Sequence, residues 1–322
     1  GVRPRQPDPG VVGLDAAIAA LAPGGAVLRA SAWRAARGPF LVLTPAVLAL
    51  GVATALRSLP SWPWMHMLAV LIAGLAAHIS VNAFNEAADF QNGLDATTQR
   101  TPFSGGSGVL PAHPELLPAV RRLAWGSLWV LVLVGAWLVA LRGWPLLLLG
   151  ALGLLLLLSY SRHLVRSPWG SLLAPGLAFG PVMVVGAHLA LGAPLDVRVC
   201  WASLVPFFGV NNLLLLNQLP DMRADQAVGR RNWPIVFGTR AAVHAHGLMS
   251  MAMGGVVLLG VGMGWFPVLS LGVLVMAWPA WQVWRELKRL PELGVPSHAC
   301  LGRNVALAVG TPALLALSLV WS

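Results

Sequence analysis

Nine apolar stretches, each about twenty residues long, follow one another along this chain, at 38–57, 64–88, 122–141, 144–161, 171–191, 199–219, 241–262, 264–284 and 304–321. A helix of that length satisfies all its backbone hydrogen bonds internally while crossing the hydrocarbon core of a bilayer, which few other structures can do. A soluble domain carries about 25% charged residues. Here the share is 10%, against 57% hydrophobic. A water-soluble core is excluded, and the expected fold is all-α: a polytopic membrane bundle of nine transmembrane helices. The Ala-, Gly- and Pro-rich segment 1–37 holds no apolar run long enough for a signal-peptide core. It reads as a cytosolic N-terminal tail ahead of one intramembrane domain, 38–322.

The net charge of +10 is sorted by side rather than clustered for nucleic acid. Of the 21 Lys and Arg residues, all but Arg57, Arg142 and Arg198 fall in the N-terminal segment or in alternate connections. The positive-inside rule then places the N-terminus and those connections in the cytosol and the C-terminus outside, in the inner (cytoplasmic) membrane. Arg285, Lys288 and Arg289 suit contact with lipid headgroups. Several of the 15 Trp residues, Trp62, Trp64 and Trp144 among them, suit the membrane interface. Two cysteines, Cys200 and Cys300, are too few for a disulfide framework and match no zinc spacing.

Acidic residues number only 11, and five of them lie in two short segments on the expected cytosolic side. The first runs Asn82-Ala-Phe-Asn85-Glu86-Ala-Ala-Asp89 and on through Gly93 to Asp95; the second runs from Asn217 through Asp221 to Asp225. Asn85 and Asp89, Asn82 and Glu86, and Asn217, Asp221 and Asp225 repeat an i, i+4 step, so each set shares a helix face. Hard divalent cations prefer such oxygen ligands, and Mg²⁺ is commonly held by a few carboxylates together with substrate phosphates. Two helix ends facing each other can therefore hold Mg²⁺ around a diphosphate. Arg100, Arg166 and Arg223 stand nearby to neutralise the remaining oxygens, a task that suits a planar guanidinium. The long connections 89–121 and 220–240 each follow an acidic helix end and look like caps over a cavity. The first contains Ser104-Gly-Gly-Ser-Gly108, a turn-forming run that lacks the Gly-Lys-Ser/Thr ending of a nucleotide loop and reads as a flexible lid. His78, one turn before Asn82, is placed to face the same cavity.

These residues resemble the UbiA superfamily of intramembrane prenyltransferases over roughly 37–238. Asn82-x-x-Asn85-Glu86-x-x-Asp89-x-x-x-Gly93-x-Asp95 is similar to the family's first aspartate-rich motif. Asn217 to Asp225, followed by Gly229-Arg230-Arg231, is similar to the second. Arg37-Gly38-Pro39 looks like the entry to its first helix, and Tyr160-Ser161 with Arg166 like a basic diphosphate contact. Phe179-Gly180-Pro181-Val182-Met183 resembles the 1,4-dihydroxy-2-naphthoate polyprenyltransferase branch. Two features depart from the pattern: Glu86 stands where the family usually has Asp, and the turn Trp169-Gly170-Ser171 lacks an acid usual in that branch.

The resemblance implies helices around a central cavity, Mg²⁺ dependence and transfer of a polyprenyl group from a polyprenyl diphosphate to an aromatic acceptor of the naphthoate or benzoate type, as in quinone biosynthesis. Expected metal ligands are Asn85, Glu86, Asp89, Asp95, Asn217, Asp221 and Asp225. Expected diphosphate contacts are Arg37, Arg100, Arg166 and Arg223. Asn85, Asp89, Asp221, Asp225 and Tyr160 are the expected catalytic residues, the Tyr160 ring able to face a carbocation. Two alternatives stay open: capture of the cation by a non-aromatic lipid or within the same molecule, and cation-coupled transport. Transporters keep their charges near the bilayer centre at broken helices, whereas the carboxylates here lie at helix ends.

Overall fold

A computed structural model describes residues 31–98, 100, 101, 103–290 and 294–322, with backbone alone at 96 and 97. Residues 1–30, most of the expected N-terminal tail, lie outside the described residues. Among the described residues every regular element is a helix. Seven helices are long and apolar enough to cross a membrane: α1 (Gly38–Leu56), α2 (Trp64–Gln91), α3 (Pro114–Arg142), α5 (Pro168–Ala190), α6 (Val197–Ala227), α7 (Trp233–Gly262) and α9 (His298–Val320). The chain is thus an integral membrane protein.

The remaining two expected spans take other forms. Helix α4 (Trp144–Tyr160) has 17 residues; at 1.5 Å per residue it reaches about 26 Å, short of a hydrocarbon core of about 30 Å. Segment 264–284 is not one α-helix but a 3₁₀ stretch, Val268–Met276, that runs into α8 (Ala277–Leu287). Its composition suited a span, but β-branched residues and Gly272 favour the α-helix weakly, and the tighter winding sets the Ser270 hydroxyl 2.8 Å from that of Ser318 on α9. Four helices also outrun their apolar windows: α2 continues to Gln91, α6 to Ala227, α3 begins at Pro114 and α7 at Trp233. Hydropathy falls at the first polar side chains, but the i→i+4 backbone ladder does not. Both acidic segments consequently ride on rigid, continuous helix ends.

The helices close into a ring, each packed on the next and α9 packed back on α1. Helix α6 is the most buried of the seven spans and α3 the least. On one side of α6 a buried polar network locks α7 and α9 in place. His246 Nε2 lies 3.1 Å from Asn304 Oδ1, Asn304 donates to the Asn212 carbonyl at 3.0 Å, and Asn212 donates to the His246 carbonyl at 3.2 Å. In a lipid-walled bundle such bonds pair most of these buried groups, while His246 Nδ1 and Asn212 Oδ1 keep no partner among the described residues.

On its other side α6 meets α5 at very short range. A Cβ on Gly176 would lie 2.3 Å from the Phe207 carbonyl oxygen, and one on Gly180 would lie 2.5 Å from that of Ser203. The Gly176 N–H donates to Asn211 Oδ1 at 2.7 Å. Between Ala178 and Val185, α5 winds as a π-helix around Pro181. Proline has no N–H to give and its ring crowds the carbonyl one turn back, and a widened turn accommodates both. Gly176→Val is expected to push α5 off α6 at an overpacking cost of about 1–3 kcal/mol, lowering the melting temperature of the purified protein. Gly126→Ala, where an added Cβ meets nothing within 4 Å, is expected to leave it unchanged.

Candidate active site

A cavity of about 740 Å³ lies among α1 to α6, its wall completed by Leu94, Asp95, Thr98 and Phe103 to Gly106 and by Arg230 and Asn232; α7 to α9 contribute nothing to it among the described residues. That volume suits a sizeable organic ligand. Most of the wall is apolar, including Leu131, Val132, Leu146, Leu149, Leu154 and Met183. The polar groups gather where the C-terminal ends of α2 and α6 meet.

Helix α2 sends His78, Asn82, Asn85 and Asp89 to the cavity as one stripe at i, i+4, i+7 and i+11. Asn82 donates to the Ala36 carbonyl at 2.9 Å, tying the chain entering α1 to α2. That entry holds Arg37 at φ 52°, the only non-glycine residue with positive φ among the described residues. The following Gly38 lies under the Trp33 ring, which a Cβ would strike at 1.9 Å. Packing thus holds a left-handed arginine at the cavity wall, a conformation that costs energy unless its surroundings impose it.

Beyond α2, Asn92 Oδ1 accepts the Leu94 N–H at 3.0 Å and Gly93 turns at φ 81°. This reversal returns Asp95 to the cavity, which explains the Gly93-x-Asp95 spacing. Burial raises the Asp95 carboxyl to about 7, and the neighbouring charges of Glu86 and Asp89 add to the rise. A bound cation would act in the opposite sense.

The two acidic segments converge. Arg230 reaches across to Asp89 Oδ1 on α2 and pairs with Asp225 Oδ1 on α6 at 3.0 Å. Asn232 donates to the other oxygen of Asp225 at 2.7 Å, and Asn85 to the other oxygen of Asp89 at 2.9 Å. Asn217, Gln218 and Asp221 line the same space, and Tyr160 lies close enough for the charges of Arg230, Asp89, Arg37 and Asp225 to act on it.

Among the described residues no three His, Cys, Asp or Glu side chains close on a single point as a preformed metal cage. The donors are instead spread around a gap. Asn85 Oδ1, Asp95 Oδ2, Asn217 Oδ1, Gln218 Oε1 and Asp221 Oδ1 are buried oxygens without a hydrogen-bond partner, all of them on residues lining the cavity. Unpaired buried acceptors are costly. Hard oxygens without donors fit Mg²⁺, which keeps part of its shell for phosphate or water.

Thr101 and the stretch 103–108 cover this gap. Thr101 Oγ1 accepts from the Ser104 N–H at 2.9 Å, and Gly105, Gly106 and Gly108 take φ values of 83°, 76° and 76°. Ser104 and Gly105 lie beside Asp221, where their polar groups favour its charged form. Gly106 sits so tightly on Asp95 that a Cβ would lie 2.7 Å from its Oδ1. The loop therefore touches both acidic segments at once.

Several expected site residues stand elsewhere. Glu86 is 1% exposed and does not line the cavity; its carboxylate accepts the Ser107 hydroxyl and, at 3.0 Å, the Ser107 N–H. Arg223 and Arg166 are solvent-exposed and outside the cavity wall. Arg100 is also exposed, its guanidinium packed against Gly108. Arg223 follows Asp221 by two residues, which on a helix turns it to the far side, so the spacing already disfavoured it. Arg230, Asn232, Gln218 and the Ser104–Gly106 segment join the cavity wall without belonging to the expected ligand set. Gly229-Arg230 hinted at a turn, but its reach to Asp89 spans 141 residues and has no local signature.

The Glu86–Ser107 contact is a latch for the loop. Glu86→Gln and Ser107→Ala are each expected to loosen it by about 1–3 kcal/mol, as for a hydrogen bond to a charged group. The double variant should cost less than the sum of the two singles, because they share the hydroxyl–carboxylate contact. Hydrogen–deuterium exchange over residues 103–108 reads this directly; unchanged exchange in Glu86→Gln would remove the latch.

The UbiA prenyltransferase family profile matches residues 42–292. The 1,4-dihydroxy-2-naphthoate octaprenyltransferase of Bacillus subtilis (strain 168) is 26% identical over 213 residues, covering 64% of this chain and 67% of the relative. Among solved structures, a UbiA homologue from Archaeoglobus fulgidus bound to GPP and Mg²⁺ superposes with a TM-score of 0.66 at 14% identity, over 91% of this chain and 100% of that one. The apo form of a UbiA homologue from Aeropyrum pernix K1 gives 0.64 at 18% identity, over 86% and 97%. At such identities the structural likeness shows a shared fold, whereas the family profile spans most of the chain. With its two acidic helix ends meeting over an apolar intramembrane cavity, this chain belongs to the UbiA prenyltransferase family and is a prenyltransferase.

Proposed function

We propose that the protein transfers a polyprenyl group from an allylic polyprenyl diphosphate to a hydroxylated aromatic acid of the naphthoate or benzoate type, in quinone biosynthesis. The observation that carries this reading is the meeting of Asp89 and Asp225 at Arg230, at the polar end of an otherwise apolar cavity. The naphthoate prenyltransferase relative supports the acceptor class, and the A. fulgidus homologue bound to GPP and Mg²⁺ supports the donor and the metal.

Asn85, Asp95, Asn217 and Asp221 would hold Mg²⁺, with Asp89 and Asp225 beside them. Bound there, the metal supplies positive charge to the leaving pyrophosphate. Arg37 and Arg230, fixed before substrate arrives, add their charges where negative charge grows as the C–O bond breaks. The Ser104–Gly106 loop covers the headgroup. The aliphatic wall from α3, α4 and α5 houses the isoprenoid tail and keeps water from the allylic cation, with Tyr160 presenting its π-face to it. An electron-rich ring carbon then attacks C1, pyrophosphate having left with the C–O electron pair, and the ring gives up the proton on that carbon to the pyrophosphate or water to restore aromaticity. The chemistry faces the cytosol, with the N-terminus inside and the C-terminus outside the inner membrane.

Purified protein given Mg²⁺, a labelled polyprenyl diphosphate and a panel of aromatic acids is expected to release pyrophosphate and prenylate the acid. Pyrophosphate release without an aromatic product would move the acceptor to a lipid or to the prenyl chain itself. Asp89→Ala, Asp221→Ala and Arg230→Ala are each expected to lower kcat by about 100-fold or more, the scale set by loss of one preorganised electrostatic contact. Arg223→Ala, pointing away from the cavity, is expected to stay within about twofold, below 1 kcal/mol. Full turnover in Asp89→Ala and Asp221→Ala would overturn the assigned roles.

A further inference from the structure

Seven titratable side chains of the cavity wall, Arg37, Asp89, Asp95, Tyr160, Asp221, Asp225 and Arg230, stand at or close to the diphosphate end. One does not. His78 lies two turns deeper on α2 than Asn85, among the apolar lining, a distance of about 10 Å along the helix axis. It is 6% exposed. Its Nδ1 lies 2.8 Å from Thr44 Oγ1, while its Nε2 has no hydrogen-bond partner among the described residues. An imidazole nitrogen without a protein partner, on a residue that lines the chamber, is free to pair with a ligand that enters it.

A second feature points to the same place. The π-helical turn of α5 sets the Phe179 ring against His78, with centroids 5.0 Å apart and planes at 79°. π-Turns inside helices are frequent at functional sites. Here the turn seats an aromatic ring beside the imidazole that stands among the apolar lining.

We infer that His78, braced by Thr44 and Phe179, is the subsite for the acceptor's ring hydroxyl. This rests on the prenyl-transfer reading above and extends it from the donor to the acceptor. With the diphosphate at the acidic end, the prenyl C1 lies a few ångströms deeper, and the attacking ring carbon must stand about 3–3.5 Å from C1. A hydroxyl on the neighbouring ring carbon then falls at the depth of His78. A hydroxyl both donates and accepts, so it pairs with Nε2 in either tautomer that Thr44 selects. The bond holds the ring with its electron-rich carbon toward C1.

The test compares wild type with His78→Leu, His78→Gln and Thr44→Val, using Mg²⁺, a polyprenyl diphosphate, 1,4-dihydroxy-2-naphthoate and analogues lacking one ring hydroxyl. His78→Leu is expected to raise the acceptor KM about tenfold, the worth of one hydrogen bond, and to lose the wild-type preference for the hydroxylated acid. The polyprenyl diphosphate KM and the Mg²⁺ requirement should stay within about twofold, and His78→Gln should recover most of the preference. A packing role alone would move all constants together and leave the hydroxyl preference intact, and that result overturns the inference. Should His78→Leu fail to fold, Thr44→Val, which frees Nδ1, is expected to weaken the same preference, and an unchanged preference there overturns it equally. Pyrophosphate release by wild type without transfer to any aromatic acid would overturn the aromatic reading and this subsite with it; aromatic transfer with an unchanged His78→Leu preference overturns the subsite alone.

Discussion

One guanidinium neutralises the ends of two helices that would otherwise repel. Asp89 and Asp225 come from distant parts of the chain, both are nearly buried, and Arg230 sits between them. Carboxylates this deep in a lipid-walled bundle are tolerated only when paired, and removal of one partner of such a set leaves an uncompensated charge. The pairing draws α2 and α6 together at one end and leaves a space between them ringed by oxygens that have no donors. On the proposed reading that space receives a metal-bound diphosphate, and Arg230 is already there to meet it.

The remainder of the bundle serves this meeting point. Helices α7 to α9 stand behind α6, held by the His246–Asn304–Asn212 network, so that α6 offers one face to the cavity. The close approach of α5 through Gly176 and Gly180 sets the opposite wall. The Ser104–Gly108 loop, bonded to Glu86 and packed on Asp95, then lies over the ends of α2 and α6 with Ser104 and Gly105 beside Asp221. Polar chemistry is confined to one end and hydrocarbon to the rest, a division that matches an amphiphilic substrate.

Much of this was legible in the residues. Apolar length identified the spans, and the i, i+4 oxygens at Asn85, Asp89, Asn217, Asp221 and Asp225 marked residues that line one cavity, because both signals are local and periodic. Helix ends extend past the point where hydropathy falls, because the backbone ladder continues there, and the segments 144–161 and 264–284 are shorter than a full span or partly 3₁₀. The arginines were harder. Arg223 is near Asp221 in sequence but the helical repeat turns it away, while Arg230 acts across a gap that only folding closes. Glu86 looked like a ligand because it stands in the motif; its pairing with Ser107 depends on a loop conformation set by left-handed glycines, for which one sequence offers no register.

The most direct measurement is a structure determined with a non-hydrolysable polyprenyl thiodiphosphate and Mn²⁺, the metal located by its anomalous signal. The account places metal peaks at about 2.0–2.2 Å, typical of such hard-cation contacts, from oxygens of both acidic helix ends, with the thiodiphosphate between them and its tail running among α3, α4 and α5. Metal and headgroup bound to one helix end alone, or outside the cavity, would contradict it.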